Sequence, residues 1–226
     1  MRMQTNFELA RRNMVENQIR CCRVLKPEII ELFLTMPREA FVPEEVRSIA
    51  YMEGHVPLPA GQEMLTPLQE AHILQALNLS ENDRVLEIGT GCGFFTAMLA
   101  MMAGSVVSCE IHGELAEMAR KNLREHGIEN AKVIEINAMD EAEVDACAEL
   151  AGPFDALVVG AAVEEAPQHL LRRLSPQGRA ALFLGKNPVV RLEVWRSSGE
   201  GWQKLGLMET DLLPIEGAPV KREFVF

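Results

Sequence analysis

Residues Val85-Leu-Glu-Ile-Gly-Thr-Gly-Cys-Gly93 decide the reading of this chain. A short apolar run, Arg84 to Ile88, stops in three alternate glycines. A glycine turn at the C-terminal end of a first strand is where doubly wound sheets bind nucleotides. The spacing is G-x-G-x-G. Dinucleotide folds prefer G-x-G-x-x-G, with a pyrophosphate at the helix N-terminus. Glu87 stands two residues before the first glycine. A carboxylate there repels a pyrophosphate and attracts an ammonium or sulfonium. That favours S-adenosyl-L-methionine over NAD. Glu110 ends the next apolar run, 23 residues after Glu87. An acid at that position can take ribose hydroxyls. A tight turn without a ligand would use the same glycines; the two acids and the strand count favour the binding site.

Outward from this turn, four more apolar runs follow: Ser105–Cys109, Lys132–Ile136, Asp155–Val159 and Arg179–Leu184. Helical stretches at about 94–103, 113–126, 140–151 and 165–174 separate them. Strand and helix alternating at this spacing predict an α/β fold, a doubly wound Rossmann-like sheet with right-handed crossovers. After Gly185 the pattern is strands alone, about 189–196 and 203–213, joined by the hairpin-like Ser197-Ser-Gly-Glu-Gly201. These predict an antiparallel C-terminal edge. Upstream, residues 5–36 read as two helices, with Pro27 opening the second. Residues 40–66 are rich in Pro and Gly, and a helix spans about Pro67–Leu77. The division expected is residues 1–80, an N-terminal helical cap that does not fold independently, and residues 81–226, the cofactor-binding α/β domain.

The chain has 226 residues and a net charge of −11, which argues against a nucleic-acid partner. Aromatics are 5%, too few for a base-stacking platform. The five cysteines, with Cys21 and Cys22 adjacent, read as free thiols of a reducing compartment. Met1–Arg12 is polar and charged, and no apolar run approaches membrane-spanning length. A cytoplasmic protein with no membrane partner is expected. The five histidines are scattered without a ligand-like pair, so no metal is assigned. Cys92 reads as a small buried residue near the cofactor, and His55 as a solvated loop residue. Asp140-Glu-Ala-Glu-Val-Asp145 reads as a solvated helix start. Glu164-Glu165 either face the acceptor or begin the next helix.

With these motifs placed, the chain resembles class I S-adenosylmethionine-dependent methyltransferases, and one branch closely: the protein-L-isoaspartate O-methyltransferase family. The segments that carry the resemblance include Asn13-Met-Val-Glu-Asn-Gln-Ile-Arg20, Met36-Pro-Arg-Glu-Ala-Phe-Val-Pro43 and Val56-Pro-Leu-Pro-Ala-Gly-Gln62. Asp155–Ala162 and Leu174-Ser-Pro-Gln-Gly-Arg179, expected as a turn, extend it. The resemblance implies methyl esterification of L-isoaspartyl residues in damaged proteins, so a protein or peptide substrate. It implies that Gly89, Thr90, Gly91 and Gly93 approach the cofactor, and that Glu87 lies near its amino-acid end. Glu110 with Ile111 would hold the ribose, and Asn137 with Ala138 would meet the adenine. Segment 61–67 would line the acceptor side.

The acceptor loop departs from the family pattern, G-Q-T-I-S-x-P. Here it reads Gly61-Gln-Glu-Met-Leu-Thr-Pro67. Leu65 stands where a serine is expected, with Thr66 one position later. Leu68 and Glu70 fall where many members carry histidines. Asn137 replaces an acid, although an amide oxygen can still accept the adenine hydrogen bond. Losing one orienting hydroxyl costs about 1–3 kcal/mol, roughly 10- to 100-fold in rate. Thr66 either substitutes for that hydroxyl or caps the helix that begins at Pro67. Two other readings stay open: the same cofactor with another acceptor, or cofactor binding without catalysis.

Overall fold

Val85, Leu86 and Ile88 are buried, as a strand covered on both faces requires. They lie in β1 (Arg84–Ile88), inside a seven-stranded sheet. The computed structural model describes residues 6–198 and 201–218. The tip of the hairpin expected at Ser197–Gly201, residues 199 and 200, lies outside the described residues, as do residues 1–5 of the charged N-terminal stretch.

Four helices precede or separate the first strands: α1 (Phe7–Met14), α2 (Pro27–Thr35), α3 (Pro67–Leu77) and α4 (Phe94–Ala100). The chain continues through β2 (Ser105–Glu110), α5 (Gly113–Glu125), β3 (Ala131–Glu135) and α6 (Glu141–Ala146). Then come β4 (Phe154–Val163), α7 (Gln168–Leu171), β5 (Leu174–Lys186), β6 (Val189–Ser197) and β7 (Trp202–Thr210). The sheet order is β3-β2-β1-β4-β5-β6-β7. The first five strands are parallel, and β6 and β7 each pair antiparallel with the strand before. The order reverses between β1 and β4, so the glycine turn after β1 opens at the topological switch point. No helix among the described residues is long and apolar enough to cross a membrane.

Some boundaries differ from the sequence pattern, each for a local reason. The first helix ends at Met14 in a π turn, Val15–Ile19, and a 3-10 turn, which bury Val15 and Ile19. Cys147, in extended backbone, ends α6, and a 3-10 turn at Ala148–Leu150 buries Leu150. The expected helix at 165–174 shrinks to α7, with Pro167 as its N-cap. The Leu174–Arg179 turn is instead the start of β5, where a register shift between Phe154 and Ala156 of β4 accommodates the extra residues. Helix α3 matches its expected span because its ends are specified locally. Thr66 accepts the Gln69 N–H, Gln69 Oε1 accepts the Thr66 N–H, Pro67 sits in the first turn, and Asn78 stops the helix in left-handed backbone.

One apolar cluster runs from Met14, Ile29 and Phe33 of the N-terminal helices to Val85, Val106 and Phe183 of the sheet. Inside it lies a charged residue. Arg38, in a 3-10 turn at Arg38–Ala40, is wholly buried. Its Nη1 donates to both Glu70 oxygens, at 2.8 and 2.6 Å. Its Nη2 donates to the Leu65 carbonyl at 2.6 Å and its Nε to the Ala50 carbonyl at 2.9 Å. Removing one partner of a buried pair leaves an uncompensated charge at a cost of about 3–5 kcal/mol. Arg38→Met and Glu70→Met alone should each lower stability by about that much, and the double change should recover part of the loss, because the Leu65 and Ala50 carbonyls stay unpaired. Urea unfolding of the three variants checks this.

Candidate functional site

Two adjoining clefts open at the C-terminal ends of the parallel strands. The larger is lined by Gly89, Gly91, Glu110, Ile111, His112, Asn137, Ala138 and residues 214–216. The smaller is lined by Leu58, Glu63, Met64, Leu65, Glu70, Glu87, Thr90, Cys92, Phe94 and Phe95. Glu63, Gly89, Gly91 and Gly160 line both, so the glycine turn is the seam between them.

The turn is bare for steric reasons. Gly93 has φ +83°, and a Cβ there would lie 3.1 Å from Ala119 of α5. Gly89 has φ +91° and donates its N–H to the Cys109 carbonyl at 2.8 Å, tying the turn to the end of β2. Glu110 is held by three backbone amides: Gly91 at 2.8 Å, Ile111 at 3.0 Å and His112 at 3.1 Å. A carboxylate has about four acceptor sites, so about one is left for a ligand hydroxyl.

Glu87 lies beneath the turn, fully shielded. Thr96 and Ser108 both donate their hydroxyls to its Oε2 at 2.6 Å. Burial pushes its carboxyl up to about 7; the two hydroxyls oppose that rise, and nearby Glu110 and Glu70 add to it. Sequence reasoning missed Thr96 and Ser108. Ser108 had a signal, since it stands opposite Glu87 in the parallel register of β1 and β2. Thr90 joins the network through a 2.6 Å contact with the Ser108 hydroxyl.

On the other wall, Asn137 Oδ1 accepts the Met139 N–H at 3.0 Å and Asn137 Nδ2 donates to the Gly217 carbonyl at 3.2 Å. One lone pair of its oxygen is therefore already used. Ala138 is buried at the floor, and Ile111 is exposed at the rim. The strap that reaches Asn137 was not legible in the sequence. Residues 212–217 run past the end of β4, with the Ala162 N–H bonded to Leu213 and the Ile215 N–H bonded to Ala162, each at 2.8 Å. Glu216 accepts from Gln62 Nε2 at 2.6 Å and lies 3.3 Å from His112 Nε2.

Beside the smaller cleft, the loop before α3 folds back on itself: Leu58 N–H bonds Gln62 O at 2.7 Å and Met64 N–H bonds Val56 O at 2.9 Å. His55 is thereby drawn in. Its Nδ1 lies 2.8 Å from the Met64 carbonyl and its side chain is only 15% exposed, which corrects the solvated-loop reading. Leu65 lines the smaller cleft, with its carbonyl held by Arg38. Thr66 uses its hydroxyl as the cap of α3 and is not among the lining residues. Burial raises the Glu70 carboxyl to about 7 and the Arg38 guanidinium opposes it. Cys92 is buried, and its thiol is pushed up to about 12, so it is protonated and inert at neutral pH. The acid run is only partly solvated in effect: Asp140 caps α6, Glu143 accepts the Asn137 N–H at 3.2 Å, and Glu141 and Asp145 pair with Arg172 and Arg173. Glu164 stands at the surface, 3.9 Å from Lys186.

Known proteins resemble this chain in sequence and in fold. The family model described as Protein-L-isoaspartate(D-aspartate) O-methyltransferase matches residues 9–210. A protein-L-isoaspartate O-methyltransferase of Koribacter versatilis is 32% identical over 213 residues, covering 94% of this chain and 93% of that protein. Another, of Methylorubrum extorquens, is 36% identical over 176 residues, covering 78% of this chain and 74% of its own length. Among solved structures, a putative protein-L-isoaspartate O-methyltransferase of Plasmodium falciparum, in complex with S-adenosyl-L-homocysteine, superposes with a TM-score of 0.76 at 20% identity. It covers 94% of this chain and 99% of that one, a likeness of fold. The match along residues 9–210 and the two relatives at 32% and 36% identity show that this chain belongs to the protein-L-isoaspartate(D-aspartate) O-methyltransferase family.

Proposed function

We propose that this protein is an S-adenosyl-L-methionine-dependent carboxyl O-methyltransferase. Its acceptor is the L-isoaspartyl residue of a damaged protein, and esterification starts repair through a succinimide. The observation that carries this reading is the family match over residues 9–210. The donor set at the strand ends fits the cofactor. The backbone of Gly89, Thr90, Gly91 and Gly93 leaves room for close approach, and Glu110 keeps about one acceptor site for a ribose hydroxyl beside Ile111. Asn137 would use its remaining lone pair on the adenine amino group, above Ala138. The Glu87 carboxyl lies beneath the turn, where a positive ligand group favours its ionised form.

When bound, the cofactor supplies a methyl group made electrophilic by its sulfonium sulfur. The chain's own task is to bind, orient and exclude water. An isoaspartyl carboxyl, with a pKa near 4, is ionised at pH 7, so no residue has to take a proton. Leu58, Met64, Leu65, Phe94 and Phe95 dry the acceptor cleft, and proximity with desolvation carries the rate. Residues 1–80 serve as cap and acceptor-side loop, and residues 81–226 as the cofactor domain. The five free cysteines support a reducing, cytoplasmic setting, and the net charge of −11 disfavours nucleic acid. A second reading keeps the cofactor and changes the acceptor; Leu65 in place of a hydroxyl residue favours it.

With S-adenosyl-L-methionine carrying a radiolabelled methyl group, base-labile label is expected on an isoaspartyl peptide and not on its aspartyl twin. Label on neither, with cofactor binding shown by calorimetry, would overturn the acceptor assignment. Leu65→Ser is expected to raise turnover by roughly 10- to 100-fold, the worth of one orienting hydrogen bond.

Glu87 generates a pH dependence. Its folded value, about 7, lies above the ordinary value of 4.5. Between the two, the folded chain holds a proton that the unfolded chain has lost, so stability falls as pH rises through this window. Glu87→Gln should remove the Glu87 share of that slope, on the order of 2–3 kcal/mol, in urea unfolding at pH 5 and pH 8, leaving the share of Glu70, also raised to about 7. In calorimetry, cofactor affinity should rise from pH 6 to pH 8 in the native protein and stay flat in the variant.

A further inference from the structure

The smaller cleft is electrostatically unsuited to a lone carboxylate. Glu63, Glu70 and Glu87 line it, the Glu70 carboxylate already paired with Arg38, and among the described residues no cationic side chain does. The nearest guanidinium, Arg38, is fully engaged by Glu70 and by the Leu65 and Ala50 carbonyls. It lies behind Phe94, 4.8 Å from the ring centroid. His55 points Nδ1 at the Met64 carbonyl, 3.7 Å from the Glu63 carboxylate. Donors are equally scarce. The Gly89 and Thr90 amides bond the Cys109 carbonyl, the Gly91 amide bonds Glu110, and the Thr90 hydroxyl contacts Ser108. Leu65 offers none. A carboxylate buried with neither a free cation nor a free side-chain donor is expelled or neutralised.

We propose that this cleft admits an acceptor carboxylate only when a cationic cofactor occupies the adjoining cleft, so that charge enforces the order of binding. The inference rests on the isoaspartyl reading above. Glu63, Gly89, Gly91 and Gly160 line both clefts, so a positive charge held in one acts directly on the other. Transfer then removes the reason for binding. The carboxylate oxygen forms a bond to the methyl carbon as the carbon–sulfur bond breaks, and that electron pair stays on sulfur. Carboxylate and sulfonium charges cancel, no proton moves, and a neutral ester and a neutral thioether remain. Glu63 and Leu65 are the specificity-determining residues: one adds negative charge at the seam, and the other withholds a donor.

The test is fluorescence anisotropy of a labelled isoaspartyl peptide. It is titrated into the protein alone, saturated with S-adenosyl-L-homocysteine, and saturated with sinefungin, which carries an amine in place of the sulfonium. At least tenfold tighter binding to the sinefungin complex than to the other two is expected, with the ratio narrowed in Leu65→Ser. Equal affinity for the homocysteine and sinefungin complexes would overturn the charge requirement while leaving the isoaspartyl reading intact. Binding to none of the three, with sinefungin binding shown by calorimetry, would overturn that reading and this inference together.

Discussion

The wall of the smaller cleft hangs on one buried guanidinium. Arg38 bonds the Glu70 carboxylate with two short contacts, and its other arms reach the Leu65 and Ala50 carbonyls. One side chain therefore ties the 3-10 turn at Arg38–Ala40 to helix α3, to the loop before it and to Ala50. A loop rich in proline and glycine has little hydrogen-bonded structure of its own. Here it is positioned by the planar fork of an arginine, whose geometry matches a carboxylate in a way that a lysine ammonium does not. Glu70 stands where many family members carry a histidine, and its pairing with Arg38 explains how this chain tolerates an acid in an apolar core.

The seam between the two clefts rests on a different device, the meeting of two acids with a bare turn. Glu87 and Glu110 are close in space because β1 and β2 are parallel neighbours. Their environments diverge. Glu110 sits at a strand end and is satisfied by three backbone amides, whereas Glu87 is closed off and served by two hydroxyls. The same residue type thus yields an acceptor of backbone amides at the cleft lining in one place and a carboxyl raised by burial in the other. Environment, not identity, sets the difference.

The strap at residues 212–217 joins the two sides. It extends the end of β4, meets Asn137 through Gly217, and reaches the acceptor loop through Glu216 and Gln62. Gly217 is close to Asn137 in a way that a side chain would forbid: a Cβ there would lie 2.3 Å from Asn137 Oδ1. The wall of the larger cleft is therefore built from segments 80 residues apart in sequence.

What the sequence alone determined is whatever rests on local chemistry and on period. The apolar runs, the glycine turn with its flanking acids and the ends of α3 were legible because strand alternation, tight turns and capping act over a few residues. The family resemblance added the acceptor loop and its missing serine. Tertiary structure alone decided the partners of buried polar groups. Arg38 with Glu70, Ser108 and Thr96 with Glu87, the pinned His55 and the strap across Asn137 all depend on contacts between residues remote in the chain or on neighbouring elements. No local pattern encodes such a contact, because a buried charge accepts whichever donor the packing delivers. Thr66 shows the boundary between the two. Its sequence context allowed a cap or a substrate hydroxyl, and the hydrogen bond to Gln69 engages it as the cap.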